Sequence, residues 1–225
     1  MIKKISKKII ELIVSYTSSN RLKFNLIYYF NYWGDRTSRS GRGSSISNSK
    51  NITKNLEDFF LKNHIKIVLD IPCGDFTWMK GLNDLFDIED INYIGADVSN
   101  LVIKSNKKSF GKENVRFKVL DLRYDTLPKA DFILVRDCLF HLSFEDIRLF
   151  KDNIRKSSFK FIAISNHKLP DNHKNLNIKT GFFRLIDITQ DPINFPIKPY
   201  MIWNDSSEDE PNKLIYVYKK DQFLS

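Results

Sequence analysis

"VLDIPCGDFTWM", residues 68–79, opens as a buried strand and breaks abruptly at Pro72, Cys73, Gly74 and Asp75. Its apolar run carries no polar alternation, the pattern of a strand covered on both faces. A glycine placed directly after such a strand lets backbone N–H groups approach a ligand with no side chain between them. The break is therefore either a turn that only ends a strand or a loop that holds a nucleotide-like ligand with a single glycine.

The flanking sequence extends the pattern. "IKIVLDI", "INYIGADV", "VRFKVLDL", "ADFILVRD" and "FKFIAISN" are apolar runs of strand length, separated by helical segments such as "FEDIRLFKDNIRKS". Near-continuous apolar strands alternating with helices predict a mostly parallel sheet with helices on both faces. Towards the end of the sequence, "KPYMIWND" and "KLIYVYKK" bracket the acidic "SSEDEPN" and predict an antiparallel hairpin at the sheet's edge. The expected fold is α/β: a Rossmann-like three-layer sandwich with a mostly parallel sheet, an antiparallel C-terminal hairpin and an N-terminal helical extension. Residues 1–62 form the extension with its Gly/Ser/Arg-rich loop, and residues 63–225 form the core.

The 225 residues are 42% hydrophobic, enough for a real core, and carry a formal charge of +9. Residues 1–66 hold 13 Lys/Arg against 4 Asp/Glu, so the whole excess is N-terminal. A neutral body with a basic head predicts either a solvated face or an anionic partner: a membrane surface, an acidic glycan or a nucleic acid. Within the head, Ile2, Ile5, Ile9, Ile13 and Tyr16 recur at helical spacing among lysines. This stripe is expected to pack on the domain or on a second subunit, with a membrane surface as the other reading. A second helix is expected from Leu22 to Tyr32, and a third over residues 49–62. The two cysteines, Cys73 and Cys138, have no metal-ligand spacing and form no disulfide framework, so a reducing cytoplasm is the expected setting, with a membrane's inner face as a peripheral station. Nothing approaches the ~20 apolar residues of a membrane span, and "IIELIV" is too short, and too acidic at Glu11, for a secretory signal.

In an open parallel sheet, ligands bind beyond the carboxyl ends of the strands. Four successive strands finish at or next to an aspartate: Asp70, Asp97, Asp121 and Asp137. Singly, each fits a helix cap or a loop; together they point to one acidic rim. The chain has neither a G-x-G-x-x-G turn nor a Walker loop, and four carboxylates would repel a pyrophosphate. A ligand carrying a ribose and a cation, with no phosphate, suits this rim.

In order and spacing, "VLDIPCGD", "YIGADVS", "FKVLDL" and "LPKADFILVRDCLFHLS" resemble the successive motifs of class I S-adenosylmethionine-dependent methyltransferases. More narrowly, "YWGDRTSRSGRGSS" and "VRDCLFHLS" look like a bacterial subgroup associated with glycan or small-molecule modification. The resemblance implies S-adenosylmethionine as cofactor, with Asp70 and Gly74 at its methionine part and Pro72, Cys73 and Asp75 completing that loop. It implies Asp97 on the ribose and Val98 beside the adenine, with Asp121 at the adenine amino group and Leu122 against the ring. Arg136 and Asp137 would face the methyl donor and substrate. The usual first-loop glycines are replaced by Pro72 and Asp75.

"RSGRGSS", residues 39–45, reads either as a linker or as a turn whose two arginines grip the cofactor carboxylate or an acidic substrate; Arg42 is assigned to the cofactor side. Trp33 reads either as a lid aromatic or as an anchor for the N-terminal helices, and the anchor is the expectation. An alcohol acceptor must lose a proton, and His141, four residues after Asp137, is the leading base, with Asp137 fixing its tautomer. His167 is the second candidate, and Asn177, Gly181 and Arg184 are expected to shape the loop beyond it. The expected reaction is O-methylation of a sugar, glycan intermediate or other small molecule. The competing reading is an RNA-binding protein or RNA methyltransferase using the basic head, against which the chain lacks an N/D-P-P-Y/F motif and a separate RNA-binding domain.

Overall fold

The computed structural model describes residues 7–33, 36–208 and 210–223. Helices α1 (Lys7–Tyr16), α2 (Asn20–Tyr29) and α3 (Lys50–Lys62) precede the first strand, β1 (Ile67–Asp70). Then follow α4 (Asn83–Ile88), β2 (Asn92–Asp97), α5 (Asn100–Phe110), β3 (Val115–Val119) and β4 (Phe132–Val135). The remaining elements are α6 (Phe144–Lys156), β5 (Phe161–His167), β6 (Met201–Asn204) and β7 (Lys213–Lys219).

All seven strands lie in one sheet, ordered β3-β2-β1-β4-β5-β7-β6. The pairs among β1–β5 are parallel, and β7 runs antiparallel to both β5 and β6, which is the hairpin expected from sequence. Strand order reverses between β1 and β4, so the crevice available to a ligand opens there. The registers Asp70↔Gly95, Asp70↔Leu134 and Asp97↔Val119 bring the carboxyl ends of four strands to one rim.

Side-chain alternation divides the interior into two layers. Leu69, Ile133, Val135, Ile162 and Ile164 meet Ile147, Phe150 and Ile154 of α6 on one face. Val68, Phe132, Leu134 and Ala163 meet Ile52, Leu56, Phe59 and Phe60 of α3 on the other. Helix ends follow from local chemistry: Ser99 and Ser143 cap α5 and α6 by accepting the N–H groups of Val102 and Asp146. Residues 168–200 contain neither helix nor strand, yet they bury Ile186, Ile188, Ile193 and Phe195 against the α6 layer.

Two N-terminal expectations change. In α1 the inward residues are Ile10 and Val14, packed with Ile27 of α2, whereas Ile9, Ile13 and Tyr16 of the expected packing stripe face solvent. One residue along a helix is a rotation of about 100°, so seating Ile10 and Val14 turns that stripe outward; Ile2 and Ile5 lie outside the described residues. Residues 36–49 are also no loose linker, because Ser38, Ser44, Ser45 and Ser49 are buried around a 3₁₀ turn at Arg42–Ser44. Among the described residues no helix is long and apolar enough to cross a membrane.

Candidate active site

A cleft of about 880 Å³, counting its mouth, opens at the carboxyl rim over β1, β2 and β4. On its β1 side the Tyr93 hydroxyl donates to Asp70 Oδ2 at 2.7 Å. Burial lifts the Asp70 carboxyl to about 7 against the pull of that hydrogen bond and of Arg136. Asp97 accepts the N–H groups of Ser99 (2.8 Å) and Gly74 (3.3 Å), and burial still raises it to about 6.

Gly74 has φ +53°, and a methyl group there would lie 2.5 Å from Ser40 Oγ. The loop after β1 and the serine-rich segment thus pack with no room for a side chain between them. Asp75 completes that join: its N–H donates to Ser40 Oγ at 2.9 Å, and its carboxylate accepts from Ser38 Oγ and from the Arg39 N–H at 2.8 Å. Val98, Val102, Leu120 and Leu122, with Phe24 and Tyr28 of α2, supply an apolar wall.

The opposite wall rests on buried charge. The Arg136 guanidinium donates to both Asp205 oxygens (2.9 and 3.1 Å) and to the Gly43 carbonyl (2.9 Å), and lies 4.9 Å from the Trp78 ring centre. Asp137 stands 3.2 Å from Arg136 Nη1 and 3.2 Å from Lys213 Nζ, and Lys213 also pairs with Glu210. Burial works to raise the Asp137 carboxyl, but the two cations outweigh it and hold it down at about 2. Beside it, His141 Nδ1 lies 2.8 Å from the Phe182 carbonyl. A carbonyl can only accept, so the proton is assigned to Nδ1, and Nε2 of the neutral ring keeps its lone pair. Burial drives the imidazole down to about 4 against that hydrogen bond, so it is neutral at pH 7. Trp33 stacks on it with ring centres 4.7 Å apart and planes 26° apart.

Asp70, Pro72, Cys73, Gly74, Asp97, Val98, Leu122, Arg136, Asp137 and His141 therefore share the wall of one cleft. Asp75, Asp121, Arg42 and His167 do not. Asp75 faces the serine-rich segment. Asp121 is committed to Arg123, 2.7 Å away, whose other arm reaches Asp146. Arg42 is exposed at the 3₁₀ turn, and His167 is buried behind Phe140 and Phe183. The Asp137–His141 hydrogen bond expected from sequence is replaced by the Phe182 carbonyl, because Asp137 is turned to Arg136 and Lys213. Gly181 donates its N–H to the His141 carbonyl (2.8 Å) and Arg184 donates to the Leu142 carbonyl (2.6 Å), both behind the cleft. Burial raises the thiols of Cys73 and Cys138, so both stay protonated.

Sequence reasoning assigned no cleft role to Tyr28 or Trp78, and of residues 39–45, read as linker or gripping turn, it singled out Arg42 for the cofactor; Tyr28, Trp78, Arg39, Ser40 and Ser44 all line the cleft. Arg39 had a signal, since it is the other arginine of "RSGRGSS". Trp33 both anchors and lines: it packs against the Ile10–Val14–Ile27 cluster and shows its ring to the cleft.

No protein-family model matches the sequence, and no curated protein does. Solved structures do match. Human N-acetylserotonin methyltransferase, in complex with S-adenosylmethionine, superposes with TM-score 0.54 over 96% of this chain at 12% identity; the match spans 60% of the human protein's length. Magnesium protoporphyrin IX methyltransferase from Synechocystis, with S-adenosylmethionine bound, gives 0.56 at 13% identity over 96% of this chain and 98% of that one. The methyltransferase domain of the bacterial CtHen1-C protein gives 0.54 at 16% identity, covering 76% and 98%. The chain has the class I methyltransferase fold. Within that methyltransferase fold, the cleft lies at the point where strand order reverses.

Proposed function

We propose that this protein is a methyltransferase that uses S-adenosylmethionine to methylate a hydroxyl group of a sugar, glycan intermediate or other small molecule. The observation that carries the reading is the convergence of Asp70, Gly74 and Asp97 with Asp137 and His141 in one cleft.

The donor set fits that cofactor. Asp97 offers a buried carboxylate to ribose hydroxyls, and the wall of Val98, Val102, Leu120 and Leu122 suits an adenine. Asp70 is a desolvated carboxyl that a nearby positive charge would help to ionise. Arg39, whose guanidinium lies 5.6 Å from the Tyr28 ring centre, is placed to receive a carboxylate. When bound, S-adenosylmethionine supplies a methyl group on a positively charged sulfur, already activated towards attack. The protein's task is then to align the acceptor, exclude water and take one proton. His141 Nε2 is the acceptor for that proton, with the Phe182 carbonyl holding the ring's tautomer. The ionised Asp137 stabilises the imidazolium formed, and Trp33 closes the ring's other face. The two buried thiols suit work in the reducing cytoplasm.

Titration calorimetry with S-adenosylhomocysteine tests the reading. Binding is expected, and Asp97→Ala is expected to weaken it about tenfold to a hundredfold, the loss of hydrogen bonds to a charged group. Because Asp97 is raised to about 6, affinity should fall as the pH drops through about 6 and that carboxylate protonates. A folded protein that gives no binding at any pH rejects the proposal. A radiolabelled methyl-transfer screen over sugar nucleotides and glycans then identifies the acceptor.

A further inference from the structure

We propose that the outer face of α1 is a docking surface for an anionic lipid bilayer. Ile9, Leu12, Ile13 and Tyr16 are 50%, 58%, 39% and 81% exposed, and their i, i+3, i+4, i+7 spacing makes them one continuous apolar stripe. The helix already buries its other face through Ile10 and Val14, so this stripe is not needed to hold the fold. Leu22 and Tyr29 of the adjoining α2 add exposed apolar surface, at 51% and 60%.

Charge decides what covers it. Lys8 flanks one end of the stripe, and the Lys179 ammonium lies 5.8 Å from the Tyr16 ring centre at the other. The single carboxylate between residues 7 and 33, Glu11, accepts a hydrogen bond from Tyr32 at 3.0 Å. An apolar stripe rimmed by lysines is the composition of a helix that lies in a bilayer interface, its aliphatic face among acyl chains and its cations at anionic headgroups. A second copy would bring two lysine-rimmed faces together, and four exposed aliphatic and aromatic side chains are poorly spent on a nucleic-acid backbone. The helix is 10 residues long and lies on the surface without spanning it. The inference is independent of methyl transfer.

Flotation of the full-length protein with vesicles tests it. With vesicles of phosphatidylcholine mixed with phosphatidylglycerol the protein should float; with phosphatidylcholine alone it should stay below. Raising the salt concentration should weaken the association by screening the lysines. A double substitution Leu12→Glu/Ile13→Glu, both positions exposed, should leave the melting temperature unchanged and reduce vesicle partitioning about tenfold or more. Equal flotation of variant and wild type, or none by the wild type, overturns the proposal. A homodimer in light scattering that the same substitutions dissociate assigns the face to a second copy and overturns it too, as does salt-sensitive RNA retention lost in the variant.

Discussion

His141, the proposed base, shows how a single side chain is oriented by groups far away in sequence. Its closeness to Asp137 is readable, since four residues separate them after a strand end. Its hydrogen-bond partner is not, because the Phe182 carbonyl lies 41 residues on and reaches the ring only through tertiary packing. The difference matters chemically: a carbonyl fixes the tautomer without adding a charge, and burial keeps the ring neutral down to about pH 4. His141→Ala is expected to lower kcat about 10²- to 10⁴-fold, the usual contribution of a positioned base, with cofactor affinity in calorimetry little changed. His141→Phe keeps a ring beneath Trp33 and should lose as much rate. If His141→Phe retains full turnover, the ring is there to stack and not to move a proton.

Among the elements, the central parallel strands were the most legible, because strands covered on both faces read as apolar runs. The serine-rich segment was the least. Glycine, serine and arginine give the same composition to a flexible linker and to a turn packed by hydroxyl hydrogen bonds; only the partners, Asp75 and Arg136, tell them apart. Phase along α1 was equally hidden, since Ile9–Ile13 and Ile10–Val14 are both apolar pairs at helical spacing. Residues 168–200 offered no periodicity because their apolar residues are seated by side-chain hydrogen bonds, such as those of Asn175 and Asp187, and by no regular ladder. A packed segment has a packed weakness. A methyl group at Gly43 would collide with the Asp137 carboxylate and lie 2.9 Å from Lys213 Nζ, so Gly43→Ala should prise the segment from the cleft. The expected result is weaker S-adenosylhomocysteine binding and faster proteolysis within residues 36–49, read by calorimetry and limited digestion.

For the molecule as a whole, the cleft carries opposed protonation costs. Asp70 and Asp97, at about 7 and about 6, titrate well above an unfolded aspartate at about 3.9. Between these limits the folded state holds more protons than the unfolded, so their contribution to stability falls as pH rises. His141, and His167 behind the cleft, are lowered by burial from the ordinary imidazole value of about 6.5, and the unfolded chain binds more protons there, so their contribution falls as pH drops. Removing one side unmasks the other. In urea unfolding at about pH 5.5 and about 7.5, Asp70→Asn should shift the pH dependence towards greater stability at the higher pH, and His141→Phe towards the lower. Parallel shifts in both variants would contradict these assignments.

The pairing of Arg136 and Asp137 with Asp205 and Lys213 also has a consequence in time. Translation delivers β1–β5 to the ribosome exit long before the hairpin that contributes Asp205 and Lys213. Until the hairpin adds to β5, the nascent polypeptide holds Arg136 with Asp137 but without Asp205. The bidentate partner of Arg136 arrives only after the five parallel strands have been made.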